Sequence, residues 1–283
     1  MSKSYKYPQD EQPMRLDRIV ATLLAVGLRA SRTYIDQGQV LVDGRWVAKG
    51  TLVQPGQMVT VSEAPKSKAG AGLANIIHQN TQHAAIFKPK AMHSVLGKDH
   101  NCVQEELPLL GLAGWQLVNR LDYLTSGLVL AAATEQDVLD YKVLQDKGEV
   151  AKYYLALVHG VVLSAFTVHQ RIDDAQRRRV RVLTEPDDPV RSTFVQPITV
   201  LDSTTLVLAR IYKGRRHQIR AHLAHAGHPL VGDPLYGSGP ESEFFLHHCL
   251  LDMPGFQAWT LPKRSDFADW ARPYLSKIIP EVS

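Results

Sequence analysis

The sequence predicts an α+β fold with a mixed, mostly antiparallel sheet and a small α/β domain at the N-terminus. Short apolar runs typical of strands outnumber helical patterns, and the two do not alternate regularly as they would in a parallel α/β sheet. A Gly-rich, polar stretch at 64–73 is typical of a flexible linker. The length of 283 residues suits one large and one small domain. We therefore predict a disordered arm at 1–12, a small domain at 13–63 and a large domain at 74–283.

Two helices and a hairpin are predicted in the small domain. Apolar residues recur with helical period over 16–24, and a second helix is expected to begin with Ser31 as its N-cap and to end at Gly38. Asp43-Gly44 supplies the positive φ angles of a tight hairpin turn. These elements are too few to form the whole protein.

The same segment resembles the S4 RNA-binding module over residues 13–63. The matching motifs are Arg15-Leu16-Asp17, Ser31-Arg32, the run from Gly38 to Gly44, and Pro55-Gly56-Gln57. The resemblance implies that this domain binds RNA and that arginines on its helices meet phosphates. Arg32 is our candidate for such a contact.

The large domain shows several strand-like runs and fewer helices. A helix is expected after Thr134, whose side chain and that of Asp137 have the spacing of a capping box, and another over 216–226. The predicted strands are 84–87, 128–132, 153–158, 179–183, 192–197 and 205–212. This mixture favours an antiparallel sheet with helices against it.

Composition and charge exclude some functional classes. The net charge of +4 and the isoelectric point of about 9.0 allow a nucleic-acid partner without demanding one. No apolar run approaches the roughly 20 residues of a membrane span, and residues 1–12 lack the apolar core of a signal peptide. The two cysteines are too few for a disulfide scaffold and favour a reducing compartment. We expect a cytoplasmic protein that does not associate with membranes.

One charged motif, Arg120-Leu121-Asp122, stands between two apolar runs and is followed by Thr125-Ser126-Gly127. Such spacing is rare near core strands, because a buried unpaired carboxylate is very costly. Asp122 therefore either needs a cationic partner in the fold or lies at the mouth of a cleft. Both alternatives favour a role in chemistry.

Several segments of the large domain occur in the order that a known enzyme family has. They are Ile86-Phe87-Lys88-Pro89 with Met92-His93, Arg120-Leu121-Asp122 with Thr125 to Leu128, Lys152 to Val158, the run from Gly214 to Gly237, and Leu246-His247-His248. Together they resemble the RluA-type pseudouridine synthases over residues 75–265. The resemblance implies the pseudouridine synthase fold and the isomerisation of uridine to pseudouridine in structured RNA.

The resemblance also implies the roles of three residues. Asp122 matches the catalytic aspartate, Tyr154 the tyrosine that lies against the target uracil, and Arg220 the arginine that pairs with the aspartate. The reaction exchanges one glycosidic bond for another between the same two fragments, so it needs neither an oxidant nor an energy carrier. The sequence contains neither a Gly-rich dinucleotide loop nor a P-loop, and we expect no cofactor.

Other side chains near these motifs are expected to contact the substrate or the RNA, because cations suit phosphates and an apolar group suits a uracil pocket. These candidates are Arg120, Arg215, Arg216, His217 and Leu230. The dense basic run from Arg177 to Arg181 also favours a phosphate contact over a solvated hairpin tip. Asp233, which precedes a proline, is expected to stabilise a turn.

Four histidines raise the alternative of a metal site, and with it a metal-dependent hydrolase. His222 and His225 have an i, i+3 spacing that zinc accepts. However, they do not share one helix face with His217 and His228, and no Cys or His-Glu-x-x-His motif accompanies them. We therefore predict no metal site.

The sequence departs from the family pattern at three places. Asn119 stands where the family usually has His, Arg216 where it usually has Thr, and Lys90-Ala91 where it has a small residue and Gly. None of these changes removes the aspartate, the tyrosine or the final arginine. They bear on which RNA is the target.

The alternative function is a catalytically silent RNA-binding protein, such as a ribosome-assembly factor, on the same fold. The intact Asp122, Tyr154 and Arg220 favour the enzyme. For the partner, ribosomal RNA is favoured and transfer RNA is the alternative. We expect the protein to be a monomer.

Overall fold

The structure, a computed structural model, describes residues 2–36, 40–47, 50–62, 74–95, 102–175, 179–237, 243–263 and 265–275. The chain forms two compact units. The N-terminal unit comprises Met1–Ala71 with Ser238–Glu243, and the large unit comprises Gly72–Gly237 with Phe244–Ser283. The predicted linker at 64–73 lies outside the described residues.

Two helices and two small sheets make up the described part of the N-terminal unit. The strands β1, β6, β3 and β4 form one sheet in that order, and β2 pairs with β5. The elements are β1 (Ser2–Lys6), β2 (Met14–Arg15), α1 (Leu16–Leu24), α2 (Leu28–Asp36), β3 (Val40–Val42), β4 (Arg45–Trp46), β5 (Leu52–Val53) and β6 (Met58–Ser62). Apolar residues of α1, α2 and the sheet share one core.

The prediction of a disordered arm at 1–12 is wrong. Residues 2–6 form β1, which pairs antiparallel with β6 along its whole length. Tyr7 is buried, and its hydroxyl donates a hydrogen bond to the carbonyl oxygen of Gln12 at 2.7 Å. The physical reason is the alternation of polar residues with Tyr5 and Tyr7, which lets the strand pack against the core of the unit.

Ser31 lies inside α2 and is not its N-cap, because the helix begins at Leu28. Its hydroxyl donates hydrogen bonds to the carbonyl oxygens of Asp17 at 2.7 Å and Leu28 at 3.0 Å. A serine hydroxyl can bond back to a backbone carbonyl as well as cap a helix, so its type alone does not locate the helix start.

The large unit is built around one extensive sheet. Its strands are β7 (Asn75–Gln79), β8 (His83–Lys88), β9 (Gln116–Leu117), β10 (Ser126–Ala132), β11 (Ala151–His159), β12 (Phe166–Val168), β13 (Gln170–Asp173), β14 (Arg181–Pro186), β15 (Thr193–Leu201), β16 (Thr204–Ile211), β17 (Leu246–Met253) and β18 (Phe256–Trp259). Its helices are α3 (Val103–Glu106), α4 (Glu135–Asp146), α5 (Gln218–His225) and α6 (Ser265–Leu275).

The strand order of the main sheet is β12-β15-β16-β11-β17-β10-β8-β7, with β9 beside β10 and β18 beside β17. Every pairing in it is antiparallel except that of β10 with β17. This mixed, mostly antiparallel sheet with few helices is the α+β architecture predicted. None of the helices in the described ranges is long and apolar enough to span a membrane.

Strand β11 lies in the middle of this sheet and is buried on both faces. Tyr154, Ala156 and Val158 pack into one core, whereas Leu155 and Leu157 pack into another. Because side chains alternate along a strand, both sets can be buried only if both faces of the sheet are covered. Tyr154 is thereby fixed on the face where α5 packs.

The two helices predicted in the large unit, α4 and α5, begin close to where the sequence places them, whereas α3 and α6 were not predicted. Helix α4 follows Thr134, whose side chain and that of Asp137 form the predicted capping box. Helix α5 is shorter than expected and begins at Gln218, because His217 before it adopts a left-handed conformation with φ of 55°. That conformation turns the chain sharply at the start of α5.

Candidate active site

A small pocket of about 60 Å³ lies in the large unit, where the loop before β10 meets β11, the end of β16 and the start of α5. Asp122 is the only carboxylate among the residues described as lining it. The lining consists of Arg120, Leu121, Asp122, Thr125, Tyr154, Ile211, Arg215, His217, Gln218, Ile219, Arg220 and Leu246. Its polar groups thus surround a single acidic side chain, whose own exposed fraction is 25%.

Asp122 is held by an arginine that comes almost a hundred residues later in the chain. The Arg220 guanidinium donates a hydrogen bond from Nη1 to Oδ2 of Asp122 at 3.0 Å. Its Nε and Nη2 donate to the two oxygens of Asp233, each at 2.8 Å. One buried guanidinium therefore serves two carboxylates, and the bidentate pair with Asp233 fixes its orientation.

Asp233 is fully buried and is also bound by the backbone. Its Oδ1 accepts hydrogen bonds from the N–H groups of Leu235 at 2.9 Å and Tyr236 at 3.2 Å. Burial opposes the charge of Arg220, but the hydrogen bonds and charges of Asp233 and Asp122 raise the pKa of Arg220 above its ordinary value. The cation beside Asp122 is consequently permanent at physiological pH.

His217 lies beside the same carboxylate. Its Nε2 is 3.8 Å from Oδ2 of Asp122, and its Nδ1 is 3.1 Å from the Tyr236 hydroxyl. Burial lowers the pKa of His217 below its usual value, with the charges of Arg220 and Arg216 adding to the effect and that of Asp122 opposing it. A neutral imidazole at this place leaves Arg220 as the principal cation at Asp122.

Tyr154 forms one wall of the pocket and is fixed from behind by His248. The two rings stack with centroids 4.5 Å apart and an interplanar angle of 14°. Burial lowers the pKa of His248 to about 3, so the imidazole is neutral, and its Nδ1–H donates to the Leu128 carbonyl at 2.6 Å. Burial also raises the pKa of Tyr154, so its hydroxyl keeps its proton.

The motif Thr125-Ser126-Gly127 ends in glycine because the neighbouring strand leaves no room for a side chain there. Gly127 has a φ of 114°, and a Cβ atom there would lie 2.2 Å from the carbonyl oxygen of His248. The close approach arises where β10 and β17 pair in parallel at Gly127 and His248. A side chain at this position would push apart β10, which follows the loop of Asp122, and β17, which carries the His248 ring behind Tyr154.

The backbone around Asp122 is held by two buried polar side chains. The Ser94 hydroxyl donates to the Leu121 carbonyl at 3.0 Å and accepts from the Leu121 N–H at 2.9 Å. The Lys88 ammonium donates to the carbonyls of Pro89 and Met92 at 2.9 and 2.8 Å. Burial lowers the pKa of Lys88 to about 7, although the charge of Asp122 opposes the shift. The ammonium also lies 3.5 Å from the Tyr123 carbonyl oxygen, so Lys88 at the end of β8 supports the loop that carries Asp122.

Asn119 adds to this support. Its Oδ1 accepts a hydrogen bond from the Leu130 N–H at 2.7 Å. The pairing of β9 with β10 ends at Leu117, two residues before Asn119. The side-chain amide oxygen therefore takes the place of a backbone carbonyl from a neighbouring strand. It thus holds the chain that leads into Arg120.

The structure brings most of the predicted site residues together. Asp122, Tyr154, Arg220, Arg120, Arg215 and His217 all line the pocket. Arg120 is exposed at the rim. Arg215 lines the pocket while its Nε donates to Asp187 at 3.2 Å.

Two candidates of the large unit lie outside this pocket. The prediction that Leu230 forms a pocket wall is wrong: Leu230 is fully buried and forms an isolated bridge with Val158, so it belongs to the core. Arg216 does not line the pocket, and its guanidinium donates to the Asp174 carbonyl at 3.2 Å.

Arg32 belongs to the N-terminal unit, where its Nε donates to Asp17 at 2.8 Å. Its side chain is 45% exposed. The predicted contact with RNA stays a prediction for both Arg32 and Arg216. Of the basic run, Arg177 and Arg178 lie outside the described residues.

Sequence reasoning missed the residues that act through others. Asp233 was expected to stabilise a turn, which it does, but it also orients Arg220. The apolar walls are Ile211, Ile219 and Leu246, which lie in or beside the recognised motifs. The available signal for two of them was position, because Ile219 is part of Gln218-Ile219-Arg220 and Leu246 precedes His247-His248.

The comparisons with known proteins bear directly on this geometry. A family model described as RNA pseudouridylate synthase matches residues 82–225, which contain Asp122, Tyr154 and Arg220. The chain belongs to the RNA pseudouridylate synthase family. The predicted enzyme class is thereby confirmed. A second model, the S4 domain, matches residues 14–59 and confirms the resemblance of the N-terminal segment.

Relatives of this RNA pseudouridylate synthase cover most of its length. A protein of Chloroflexus aurantiacus named as an RNA pseudouridine synthase is 30% identical over 87% of this chain and 84% of its own. The ribosomal large subunit pseudouridine synthase D of Pseudomonas aeruginosa is 27% identical over 84% of this chain and 78% of its own.

A solved structure agrees with the predicted fold of the synthase. The human RNA pseudouridylate synthase domain containing 1 superposes with a TM-score of 0.56 at 22% identity, and covers 67% of this chain and 83% of that protein. Within the part of the chain that the structure describes, no group of three or more His, Cys, Asp or Glu side chains could hold a metal ion.

Proposed function

We propose that this synthase converts uridine to pseudouridine in ribosomal RNA, with Asp122 as the catalytic carboxylate and without a cofactor. The observation that carries the proposal is the ion pair of Asp122 with Arg220 at 3.0 Å in a pocket that Tyr154 walls. The relative in Pseudomonas aeruginosa, named for the large ribosomal subunit, supports ribosomal RNA as the substrate.

The reaction needs a carboxylate that is ionised and aimed. The bond between the sugar C1′ and uracil N1 breaks, a bond between C1′ and C5 forms, and the proton on C5 is replaced by one on N1. Asp122 would act as nucleophile or as base, and both roles require its anionic form. Arg220 stabilises that anion, and Asp233 fixes Arg220, so the carboxylate is oriented before substrate arrives.

Tyr154 would hold the uracil while it is detached from the sugar. The ring is already fixed by His248 on one side, so little freedom is lost when a base stacks on it. Such a stack contributes about 1–3 kcal/mol, comparable to the few kcal/mol that flipping a base out of RNA costs. Since burial keeps its hydroxyl protonated, Tyr154 would act as a donor and not as a base.

The remaining cations would hold the RNA around the flipped nucleotide. Arg120 at the rim and Arg215 in the wall suit the phosphates on either side of the target uridine. The S4 domain would add affinity for the same RNA without entering the chemistry. We propose that the protein carries out this modification in the cytoplasm.

Turnover on ribosomal RNA tests the proposal. The full chain is incubated with bacterial large-subunit ribosomal RNA transcribed in vitro, and pseudouridine is detected by chemical labelling that is specific for it. We expect the wild type to form pseudouridine at defined positions. Asp122→Ala should reduce the rate by at least about 10³-fold, because the catalytic group itself is removed.

A matched control separates chemistry from charge. Asp140→Ala removes an exposed carboxylate of α4 outside the pocket, and this variant should retain the wild-type rate. RNA affinity of Asp122→Ala should stay at the wild-type value. If Asp122→Ala forms product at the wild-type rate, Asp122 is not catalytic. Binding of the RNA by the wild type without any product would instead favour the silent RNA-binding protein.

A further inference from the structure

A second cavity lies beside α5, where residues other than those of the first pocket line it. Its volume is about 510 Å³, against about 60 Å³ for the pocket that holds Asp122. It is lined by Arg179, Val180, Arg181 and Val182 before and within β14, by Ala221, Ala224 and His225 on α5, and by Tyr236. A cavity of several hundred Å³ is typical of sites for small molecules or nucleotides.

The charge of this cavity is positive. Arg179 and Arg181 are exposed and form no ion pair with any described residue, and His225 is exposed beside them. No carboxylate is among the described lining residues. Asp173 lies opposite Arg181 on the neighbouring strand β13, and its carboxylate accepts a hydrogen bond from the Ala175 N–H. Two exposed guanidinium groups without an ion pair to a described residue favour an anionic ligand.

The floor of the cavity is apolar and aromatic. Val182, Ala221 and Ala224 contribute small apolar surfaces, and the Arg179 guanidinium lies over the Tyr236 ring with its carbon 5.0 Å from the centroid. A guanidinium is planar, so that of Arg179 also offers a face on which a base can stack. The cavity therefore combines recognition of a negative charge with a surface for a flat, partly apolar group.

Tyr236 connects this cavity to the catalytic pocket. Its hydroxyl accepts a hydrogen bond from the Val180 N–H at 2.9 Å and is 3.1 Å from Nδ1 of His217. His217 lines the pocket of Asp122. The first turn of α5 faces that pocket and its second turn faces the cavity, and the whole helix is only about 12 Å long.

We propose that this cavity binds one nucleotide of the RNA near the target uridine, with its phosphate on Arg179 and Arg181 and its base over the apolar floor. This rests on the proposed function and names a second subsite for the same substrate. A nucleotide is the ligand whose chemistry matches both halves of the cavity. Its occupation would hold the RNA strand while the target uridine enters the pocket of Asp122.

Two kinds of variant test the two halves of the subsite. Arg179→Ala with Arg181→Ala removes the phosphate contacts, whereas Ala224→Leu fills the floor and leaves the charges in place. With in vitro transcribed bacterial large-subunit ribosomal RNA, we expect each to raise KM about tenfold with little change in kcat, since neither touches Asp122. Only the double arginine variant should weaken the salt dependence of RNA binding, by about 0.7 per lost contact to a single strand.

Arg171→Ala provides the matched control, because Arg171 is an exposed arginine of the same hairpin that does not line the cavity. It should change KM less than twofold. If it raises KM as much as the double arginine variant, the hairpin attracts RNA only by diffuse charge and the subsite is wrong. The subsite is also wrong if Ala224→Leu and the double variant both keep the wild-type KM.

A readout independent of turnover distinguishes this proposal from the proposed function. The same transcript carrying 4-thiouridine is crosslinked to the full chain, and the crosslinked peptides are identified by mass spectrometry. Crosslinks to peptides containing 179–182 or 221–225 support the subsite even if no pseudouridine forms, in which case only the proposed function fails. Pseudouridine formation without these crosslinks overturns the subsite and leaves the proposed function intact.

Discussion

The triplet Arg-Leu-Asp occurs twice in this chain and is used in opposite ways. In the N-terminal unit, Arg15 donates two hydrogen bonds to Asp17, at 3.1 and 3.0 Å, and Arg32 donates a third at 2.8 Å. In the large unit, Arg120 lies at the rim of the pocket, and it is the distant Arg220 that binds Asp122. The arginine and the aspartate of the triplet therefore bind each other in the N-terminal unit, whereas in the large unit the aspartate is bound by an arginine from outside the triplet.

We call Arg15, Asp17 and Arg32 the first cluster, and Asp122, Arg220 and Asp233 the second. The two clusters have opposite ratios of arginine to carboxylate. Asp17 is fully buried and is shared by two arginines that are each 45% exposed, which leaves an excess of positive charge facing outward. Arg220 is 5% exposed and is shared by two carboxylates, of which Asp233 is fully buried and Asp122 is 25% exposed. In each cluster the residue that is shared between two partners is buried, and we call it the anchor. The anchor Asp17 leaves positive charge exposed, whereas the anchor Arg220 leaves the negative charge of Asp122 exposed.

The difference teaches that exposure and the ratio of partners decide what a charged motif does. A buried Asp17 that holds two arginines outward suits binding of phosphates. A buried Arg220 that holds Asp122 toward a pocket suits catalysis by a carboxylate. Substitution of the anchor in each cluster should accordingly have different consequences, and the predictions below are ordered by the size of the expected effect.

The largest effect is expected at the anchor of the second cluster. Arg220→Lys keeps a positive charge but cannot form the forked contact to Asp233 and reach Asp122 as well. Misplacement of a catalytic group by about 1 Å costs on the order of 100-fold, and we expect kcat on ribosomal RNA to fall by about that factor. Turnover assays and circular dichroism on the full chain measure rate and folding together.

Two comparisons make this result interpretable. Arg171→Lys, the same exchange at an exposed site, should keep the wild-type rate. Arg220→Met leaves Asp233 buried without its cation and should destabilise the large unit by about 3–5 kcal/mol. If Arg220→Lys has the wild-type kcat, the forked geometry of Arg220 does not orient Asp122. The anchoring role that we assign to Arg220 in the second cluster would then be wrong.

A smaller effect, on stability instead of turnover, is expected at the anchor of the first cluster. The hydrogen bond from Arg15 is the largest cause that lowers the pKa of Asp17 to about 2, with Arg32 contributing and burial opposing. Because this pKa lies below the value of about 3.8 in an unfolded chain, ionised Asp17 stabilises the folded state at neutral pH. Asp17→Asn should therefore lose about 2 kcal/mol there.

The pH dependence gives the sign of this effect. As pH falls from about 4 to about 2, wild-type Asp17 becomes protonated and its contribution is lost, so the stability difference between wild type and Asp17→Asn should shrink toward zero. Hydrogen exchange of α1 amides in the full chain measures it locally. Asp122→Asn is the matched variant, and we expect it to leave α1 exchange unchanged while turnover is lost. Equal stability of Asp17→Asn and wild type at pH 7 would contradict the anchoring role.

The two clusters also show how much of the site the sequence could predict. Asp122, Tyr154 and Arg220 could be singled out because each stands in a short motif that lies within one loop, strand or helix. The elements followed from apolar periodicity, which is why α4 and the strands near β10 and β11 lie close to their expected positions. Residues and elements that depend on a short stretch of sequence could therefore be predicted.

The missing parts depend on contacts between segments distant in sequence. Asp233 looks like a turn residue because its bonds to Leu235 and Tyr236 are local, while its bond to Arg220 requires the fold. Leu230 looked like a pocket wall because it is apolar and near the motif, yet its bridge to Val158 buries it. Likewise β1 was missed because a short polar strand is stable only when its partner β6 is present.

The smallest predicted effect concerns strain in the backbone that supports each cluster. Ala91 has a φ of 59°, and its N–H donates to the Tyr123 carbonyl at 2.9 Å, next to Asp122. In the N-terminal unit, Ala25 has a φ of 53° at the end of α1, the helix that carries Asp17. Left-handed backbone costs an L-residue with a side chain about 1 kcal/mol relative to glycine.

Ala91→Gly and Ala25→Gly should each stabilise their own unit by about 0.5–1 kcal/mol, the gain being reduced by the greater freedom of glycine in the unfolded chain. Hydrogen exchange of β10 and of α1 in the full chain measures the two effects separately. If strain is alike in both units, Ala91→Gly should also leave turnover unchanged, since hydrogen bonds from Ser94 and Arg220 still hold the loop. A stabilised Ala91→Gly with a lower kcat would show instead that strain at this turn aims Asp122, a use of strain with no counterpart at Asp17. The difference between the clusters would then lie in the backbone as well as in the charges.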